Sequence, residues 1–177
     1  MQLFWTEGYE ISSLQRLLGA MGISKSSFYQ TFENKRSLFL QCLLRYRGSL
    51  AETLRERKKK EGDGRPFITT LFRDLAVDTN SLDSKRGCFL MNTAHEFGRS
   101  DAGISEMVTD SLDDLAGIFE SAIIRAQKDG DIPKDKDAKY LALNLISCIS
   151  GIKNMIKAGA DKKAVEQIVE ISLSVLR

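Results

Sequence analysis

Apolar residues recur at three- and four-residue intervals along almost the whole of this 177-residue chain, and this spacing limits its fold more than any other feature. Such a period places apolar side chains on one face of an α-helix, whereas a half-buried strand requires strict alternation. Only two prolines are present to interrupt the pattern. The sequence therefore predicts an all-α protein.

The first 22 residues contain signals for two helices. An apolar cluster at residues 3–5 is followed by Gly8, which predicts the last turns of a first helix whose beginning is absent from this sequence. Ser12 and Gln15 have the spacing of a capping box, which predicts the start of a second helix. Gly22 is placed to end that helix in a left-handed turn.

Two further helix starts follow closely. Ser24 is a suitable N-cap for a third helix that runs through Phe32. Asn34 is a suitable N-cap for a long fourth helix from Lys35 to about Lys60. The two short helices on either side of the turn at Gly22 predict a helix-turn-helix.

A second region begins near residue 65. The segment KKKEGDGRP is charged and contains glycine, and its proline suits the first turn of a helix, so it predicts a linker and a new start. Later separators such as NSLDSKRG and DGDIPKD carry the residues that favour turns. The predicted helices cover roughly residues 66–80, 86–98, 101–128, 137–158 and 161–176.

Charge is distributed unevenly along the chain. Residues 1–60 hold 11 Lys and Arg against 5 Asp and Glu, a net charge of +6, whereas residues 61–177 carry −4. Because phosphate neutralisation supplies most non-specific affinity for nucleic acids, this asymmetry predicts a polyanionic partner for the first part alone. The basic run RERKKKEG is interpreted as a solvated helix end, since cations near a helix C-terminus complement its dipole.

The cysteines and the hydropathy limit the other possibilities. Cys42, Cys88 and Cys148 are too widely spaced for a disulfide framework or a CxxC metal site, and we expect no metal and no cofactor. No stretch approaches the roughly 20 apolar residues that span a bilayer, and the start lacks the order of a signal peptide. We therefore expect a reduced, cytoplasmic setting and no membrane partner.

The predicted third helix divides its residues between packing and contact. Phe28 and Phe32 are four residues apart and would pack inward, whereas Lys25 and Gln30 would face outward or flank the packed face. In a recognition helix, a lysine can donate to guanine O6 or N7, and a glutamine can pair with adenine N6 and N7. Lys35 follows at the start of the next helix, where it is placed for a phosphate.

Residues 8–46, GYEISSLQRLLGAMGISKSSFYQTFENKRSLFLQCLLRY, closely resemble the DNA-binding domain of the TetR/AcrR family of bacterial transcriptional regulators. The shared features are the Gly-Tyr pair before the second helix, the turn glycine Gly22, the helix SKSSFYQTF and the Asn-Lys-Arg that opens the fourth helix. Residues 87–98, GCFLMNTAHEFG, also resemble the sixth helix of many members.

The resemblance implies a homodimer of about nine helices per subunit. Residues 1–47 would form the helix-turn-helix DNA-binding domain, the helix over 35–60 would connect the domains, and residues 65–177 would bind a ligand and dimerise. Carried over position by position, the resemblance implies base-edge contacts by Lys25, Ser26 and Gln30 and DNA-backbone contacts by Ser27, Tyr29, Thr31 and Lys35.

The second region is expected to hold an effector of unknown identity, because clefts between the helices of bundles commonly bind small ligands. The alternative for each candidate is an ordinary core position. The candidates are Phe72, Met91, Asn92, His95, Phe119 and Tyr140.

The last two predicted helices are expected to form the dimer surface, because they are rich in Leu, Ile and Val and include small residues that allow close approach. The candidates on this surface are Leu145, Ile149, Ile152, Ile168 and Ser172.

The functional prediction is a ligand-responsive regulator, most simply a repressor that binds a pseudo-palindromic operator as a dimer and is released by a small molecule. One alternative is a DNA-binding regulator without an effector. A small helical enzyme using Cys88 and His95 is a weaker alternative, because nothing at motif spacing supplies a nucleophile, a base and an orienting group. Cys88, beside two apolar residues, is interpreted as a small hydrophobic side chain rather than a redox sensor.

Overall fold

The computed structural model describes residues 1–77 and 79–177. Within these ranges the chain forms ten α-helices and no strand, so the all-α prediction is confirmed. None of the described helices is both long enough and apolar enough to cross a membrane. The helices are α1 Gln2–Glu7, α2 Leu14–Met21, α3 Lys25–Phe32, α4 Lys35–Glu61, α5 Arg65–Val77, α6 Leu82–Arg86, α7 Phe89–Phe97, α8 Ala102–Asp129, α9 Ala138–Lys157 and α10 Lys162–Ser174.

Local caps set the boundaries of α3 and α4, as the sequence predicts. Gly22 ends α2 with φ +66°, in the left-handed region. The Ser24 hydroxyl accepts a hydrogen bond from the amide of Ser27 at 3.1 Å and begins α3. The Asn34 carboxamide oxygen accepts from the amide of Ser37 at 2.8 Å and begins α4. Both predicted N-caps are therefore confirmed.

The predicted cap of α2 is wrong by one residue. Ser13 rather than Ser12 is the N-cap, and its hydroxyl accepts from the amide of Arg16 at 3.3 Å. Ser12 is buried, and its hydroxyl donates to the carbonyl of Gly8 at 2.6 Å. Adjacent serines offer the same chemistry, and the backbone path after Gly8 decides between them.

The short helix α6 was not predicted. Ser81 begins it by accepting from the amide of Ser84 at 3.1 Å, and Gly87 ends it with φ +74°. The next residue, Cys88, is extended, so α7 begins at Phe89 rather than near residue 86. A five-residue helix shows too little apolar periodicity to be recognised within a polar segment.

One continuous apolar core runs through the helices. α8 packs against α9, α7, α4 and α5, and α10 packs against α5 and α9. α1 joins the same core because Phe4 is 1% exposed and its ring contacts Phe39 of α4 edge-on, with centroids 5.1 Å apart. The division into residues 1–47 and 65–177 therefore stays a prediction about function, since α4 and this core connect the two parts.

The apolar residues of α9 and α10 separate into two faces. Leu145 and Ile152 are 0% and 1% exposed within the single chain, so they cannot supply surface to a partner subunit, and the expectation for these two residues is revised. Ile149, Ile168 and Ser172 are half-buried. The apolar side chains that α9 and α10 leave exposed are Tyr140, Leu143, Met155 and Ile171.

Candidate nucleic-acid interface and ligand cavity

The helix α3 is anchored by one aromatic residue. Phe28 has no exposed surface, and its ring lies 5.5 Å from the rings of both Tyr29 and Phe32. Phe28 belongs to the buried core, and α3 packs against α4, so this contact positions the helix on the rest of the molecule. The polar residues between the aromatics therefore lie on the side of α3 that faces away from this core.

The outward side of α3 carries the polar side chains that the sequence predicts to contact DNA. Ser27 and Thr31 already use their hydroxyls locally, since Ser27 Oγ lies 2.9 Å from Ser24 Oγ and Thr31 donates to the Ser27 carbonyl at 2.9 Å. Tyr29 is 45% exposed. Lys25, Ser26 and Gln30 have no side-chain partner among residues 1–77 and 79–177, so their donors and acceptors are free to reach a ligand. Lys25, Ser26, Ser27, Tyr29, Gln30 and Thr31 are all exposed.

Lys35 is held in place by the segment before α2. Its ammonium lies 4.3 Å from the centroid of the Tyr9 ring and donates to the carbonyl of Glu10 at 3.4 Å. The Tyr9 ring packs in turn against Phe39 and Phe97, with centroids 5.0 and 5.3 Å apart. Burial, with a smaller contribution from Glu10, raises the pKa of Tyr9. The sequence gives no sign of this cation–π contact.

Glu96 connects α7 to the segment between α1 and α2. Its carboxylate accepts hydrogen bonds from the backbone amides of Tyr9 and Glu10, both at 2.9 Å. Gly8 permits this approach, because a Cβ on Gly8 would lie 3.0 Å from Glu96 Oε2 and because its φ is +85°. Sequence analysis missed Glu96, since its partners lie more than 80 residues earlier in the chain.

Two ion pairs connect α4 to α8. Arg36 binds both carboxylate oxygens of Asp101 at 2.8 Å, and Arg47 binds Asp114 at 2.6 Å. Asp101 is also the N-cap of α8 and accepts from the amide of Ile104 at 3.0 Å. These bonds, that of Arg36 first, lower the pKa of Asp101 to about 2.

A cavity of about 370 Å³ opens between α4, α5, α8 and α9, and α1 and the segment around α6 also contribute to its wall. Most of its lining is apolar. The lining residues are Trp5, Leu50, Thr53, Leu54, Arg57, Leu71, Asp74, Leu75, Asp83, Ser84, Gly87, Cys88, Met91, Leu112, Leu115, Phe119, Ile146, Ile149, Ser150, Lys153 and Ile156.

Of the six side chains predicted to meet an effector, the cavity brings together Met91 and Phe119. Phe72 is fully buried in the core, and Asn92 donates to the carbonyl of Arg86 at 2.9 Å. His95 is exposed, and Tyr140 is 70% exposed at the start of α9. These four residues do not line this cavity.

Trp5 brings the first helix into the cavity wall. Its indole N–H donates to the carbonyl of Gly87 at 3.3 Å, and its ring meets Tyr46 of α4 edge-on at 5.0 Å. The Tyr46 hydroxyl lies 3.8 Å from Cys88 Sγ, and burial raises the pKa of Tyr46. Cys88 thus packs against the hydroxyl of Tyr46. The enzyme alternative would pair Cys88 with His95, and the seven residues of α7 up to His95 rise by about 10 Å along the helix axis.

Two family sequence models match the chain. The model described as bacterial regulatory proteins, tetR family, matches residues 1–42, and the model described as tetracyclin repressor-like, C-terminal domain, matches residues 68–171. The first therefore covers the helix-turn-helix with the start of α4, and the second covers most of the helices that surround the cavity.

Individual proteins and solved structures similar to this chain are also transcriptional regulators. The chain is 28% identical to the HTH-type transcriptional regulator YezE of Bacillus subtilis over 177 residues, covering 99% of this chain and 91% of YezE. It is 28% identical to the HTH-type transcriptional repressor ComR of Escherichia coli over 182 residues, covering 100% of this chain and 83% of ComR. The fold is similar to that of CifR solved with 26-bp operator DNA, with a TM-score of 0.85 and 24% identity, over 99% of this chain and 92% of that one.

Proposed function

The chain belongs to the tetR family of bacterial regulatory proteins, and we propose that it binds a pseudo-palindromic operator as a homodimer, represses transcription there and is released by a small-molecule effector. The relative ComR is a repressor, and the fold neighbour CifR was solved on operator DNA. A regulator of this kind acts on chromosomal DNA, which gives it a cytoplasmic location and a non-catalytic role.

The observation that carries the proposal is the outer side of α3. Phe28 fixes the helix from below, and Lys25, Ser26 and Gln30 stand exposed without side-chain partners in the described part of the chain. In helix-turn-helix proteins, the N-terminal residues of the second helix contact base edges in the major groove. Lys25 and Gln30 have the donors and acceptors that distinguish guanine and adenine there. Hydroxyls and further cations hold the DNA backbone.

Dimerisation sets the spacing of two such helices. A two-fold dimer presents its recognition helices to half-sites about 34–36 Å apart, one turn of DNA. The exposed apolar side chains of α9 and α10, among them Leu143, Met155 and Ile171, supply the surface that we assign to the partner subunit. Because Leu145 and Ile152 are buried in each subunit, they support this surface from below.

Release follows from the position of α4. This 27-residue helix begins at the Asn34 cap next to α3 and contributes Leu50, Leu54 and Arg57 to the cavity wall. A helix of this length, about 40 Å, transmits a shift at the cavity to its other end. A ligand that prefers the shifted state lowers operator affinity, and a typical coupling of about 1–3 kcal/mol corresponds to a change of about 5- to 150-fold.

The test is a competition binding assay on the DNA upstream of the gene, with three single variants. Gln30→Ala removes a base contact and should weaken specific binding by about 5- to 150-fold, the factor for about 1–3 kcal/mol of discrimination, while binding to scrambled DNA stays unchanged. Tyr29→Phe removes a contact to the DNA backbone. It should weaken binding to the upstream DNA and to scrambled DNA by the same factor. Gln41→Ala, an exposed glutamine in the second turn of α4, is the matched control and should bind as the wild type does.

Two results would contradict the proposal. The first is an equal loss of affinity for the upstream DNA in Gln30→Ala and Gln41→Ala. That result would show that α3 does not recognise bases. The second is that the protein prefers its operator sequence but no small molecule releases it from the DNA. That result would indicate a DNA-binding regulator without ligand control.

A further inference from the structure

The charged residues that line the cavity fall into two groups. Arg57 donates to Glu61 at 2.7 Å and to Asp74, so its charge is matched by two carboxylates. Asp83 pairs with Arg86 at 3.1 Å. Lys153 differs from all of these, because its ammonium makes no ion pair and no hydrogen bond with residues 1–77 or 79–177. Among the described residues, the cavity therefore contains one cation that no side chain neutralises.

A second unused donor lies beside it. Ser150 and Lys153 are three residues apart on α9, and both line the cavity, so they share one face of the helix. The Ser150 hydroxyl has no partner in the described part of the chain, whereas Ser147, outside the cavity, donates to the Leu143 carbonyl at 3.0 Å. One acceptor group placed along this face can therefore meet both donors.

The remaining wall suits an apolar body. Leu50, Leu54, Leu115 and Phe119 approach from α4 and α8, and Trp5 adds an aromatic surface from α1. The volume of about 370 Å³ is at the lower end of the roughly 300–1,000 Å³ typical of small-molecule sites. A ligand for this cavity is therefore small and mostly apolar.

We propose that the cavity binds an amphiphilic carboxylate, whose anionic head accepts from Lys153 and Ser150 and whose apolar body lies between α4, α8 and Trp5. This inference rests on the proposed function, since it names the chemical class of the effector. A neutral apolar molecule would gain nothing from the charge of Lys153. A cationic one would meet carboxylates that Arg57 and Arg86 already occupy and would be repelled by Lys153.

The cavity contains its own reporter. Trp5 is the only tryptophan of the chain and lines the cavity, so a ligand bound there changes the emission of this one indole. Decanoate is the probe, used below its micelle concentration, with decanamide and decylamine as neutral and cationic analogues of the same chain length. The titration is made on the full chain without DNA. We expect saturable binding of decanoate at least about 10-fold tighter than that of either analogue, the factor of one hydrogen bond to a charged group.

Two variants locate the head group. Lys153→Met keeps the length of the side chain and removes the charge, and it should weaken decanoate binding by about 10-fold or more without affecting decanamide. Lys139→Met is the matched control, because Lys139 is exposed on the same helix and outside the cavity lining. It should bind decanoate as the wild type does. Circular dichroism of both variants checks that the fold is unchanged.

Equal binding of decanoate and decanamide, or equal loss in both lysine variants, would overturn the carboxylate assignment. So would the absence of any saturable change in Trp5 emission with decanoate. Because this titration contains no DNA, such a result leaves sequence-specific operator binding standing. Loss of operator preference in the competition assay, in contrast, would contradict the proposed function whatever the cavity binds.

Discussion

Replacing Glu96 tests how the helix-turn-helix is attached to the rest of the molecule. Its carboxylate accepts from two consecutive backbone amides, those of Tyr9 and Glu10, at 2.9 Å each. Glu96→Ala removes both acceptors while leaving α7 with a residue of high helix propensity. The effect of the substitution therefore reports the two hydrogen bonds rather than a change in the helix itself.

The expected loss follows from the exposure of the site. A hydrogen bond contributes about 0.5–1.5 kcal/mol net to stability, and about 1.5–3 kcal/mol when one partner is charged. Because Glu96 and Glu10 are exposed, water replaces part of what is lost, and the lower range applies to each bond. We therefore expect Glu96→Ala to reduce the free energy of unfolding by about 1–3 kcal/mol.

Gly8 supplies an internal check on this magnitude. Its backbone at φ +85° and ψ 172° lies in a region that only glycine populates readily, and a Cβ there would lie 3.0 Å from Glu96 Oε2. Gly8→Ala should thus be destabilising through both strain and contact. In the Glu96→Ala background only the strain remains, so Gly8→Ala should then be less destabilising.

The assay is urea unfolding at one fixed protomer concentration, because a dimer's apparent stability depends on concentration. The variants are Glu96→Ala, Gly8→Ala, their combination, and Glu106→Ala as an exposed control without a side-chain partner in the described residues. An unfolding midpoint for Glu96→Ala equal to that for Glu106→Ala would refute the role of the carboxylate. Strict additivity of the two changes would refute the contact between Gly8 and Glu96.

Three further predictions concern other parts of the molecule. Glu33 has φ +63° in the turn between α3 and α4, a conformation that glycine adopts more readily. Glu33→Gly should therefore raise the free energy of unfolding, measured by urea titration, by about 1 kcal/mol. An unchanged free energy of unfolding would refute backbone strain at Glu33. The pKa of Asp101 is about 2 in the folded protein and 3.8 for an ordinary aspartate. The stabilisation that Arg36 provides is therefore complete above about pH 4 and is lost as the pH falls towards 2. The difference in thermal midpoint between wild type and Arg36→Met should therefore shrink over that range, and a constant difference would contradict the assignment. Ile171 is exposed, so Ile171→Asp should give a folded monomer by light scattering. Ile152 is buried, so Ile152→Asp should unfold the subunit. A dimeric Ile171→Asp would show that the dimer interface does not include this face.

Features that depend on a few neighbouring residues could be predicted from the sequence. The caps at Ser24 and Asn34 and the left-handed Gly22 are local devices, and all three are observed where they were expected. The exposed side of α3 follows from the four-residue spacing of Phe28 and Phe32, because that spacing alone decides which residues face the core.

Features that depend on tertiary contacts could not be predicted. Glu96 meets amides 86 and 87 residues away, and Trp5 reaches the carbonyl of Gly87 across 82 residues. The apolar arc of α9 is also wide, so periodicity could not tell the face buried within the subunit from the face left exposed. Leu145 and Ile152 were assigned to the wrong face for this reason.

The most direct test of the central claim is fluorescence anisotropy of the wild-type protein with its own upstream DNA and with a scrambled duplex, each at two salt concentrations. A sequence-specific regulator should bind the upstream DNA about 10³-fold or more tightly than the scrambled duplex, and competitor DNA should not abolish the difference. Equal affinity for both duplexes, lost together as salt rises, would mean that the basic first 60 residues supply charge alone. That result would contradict the assignment of α3 as a recognition helix.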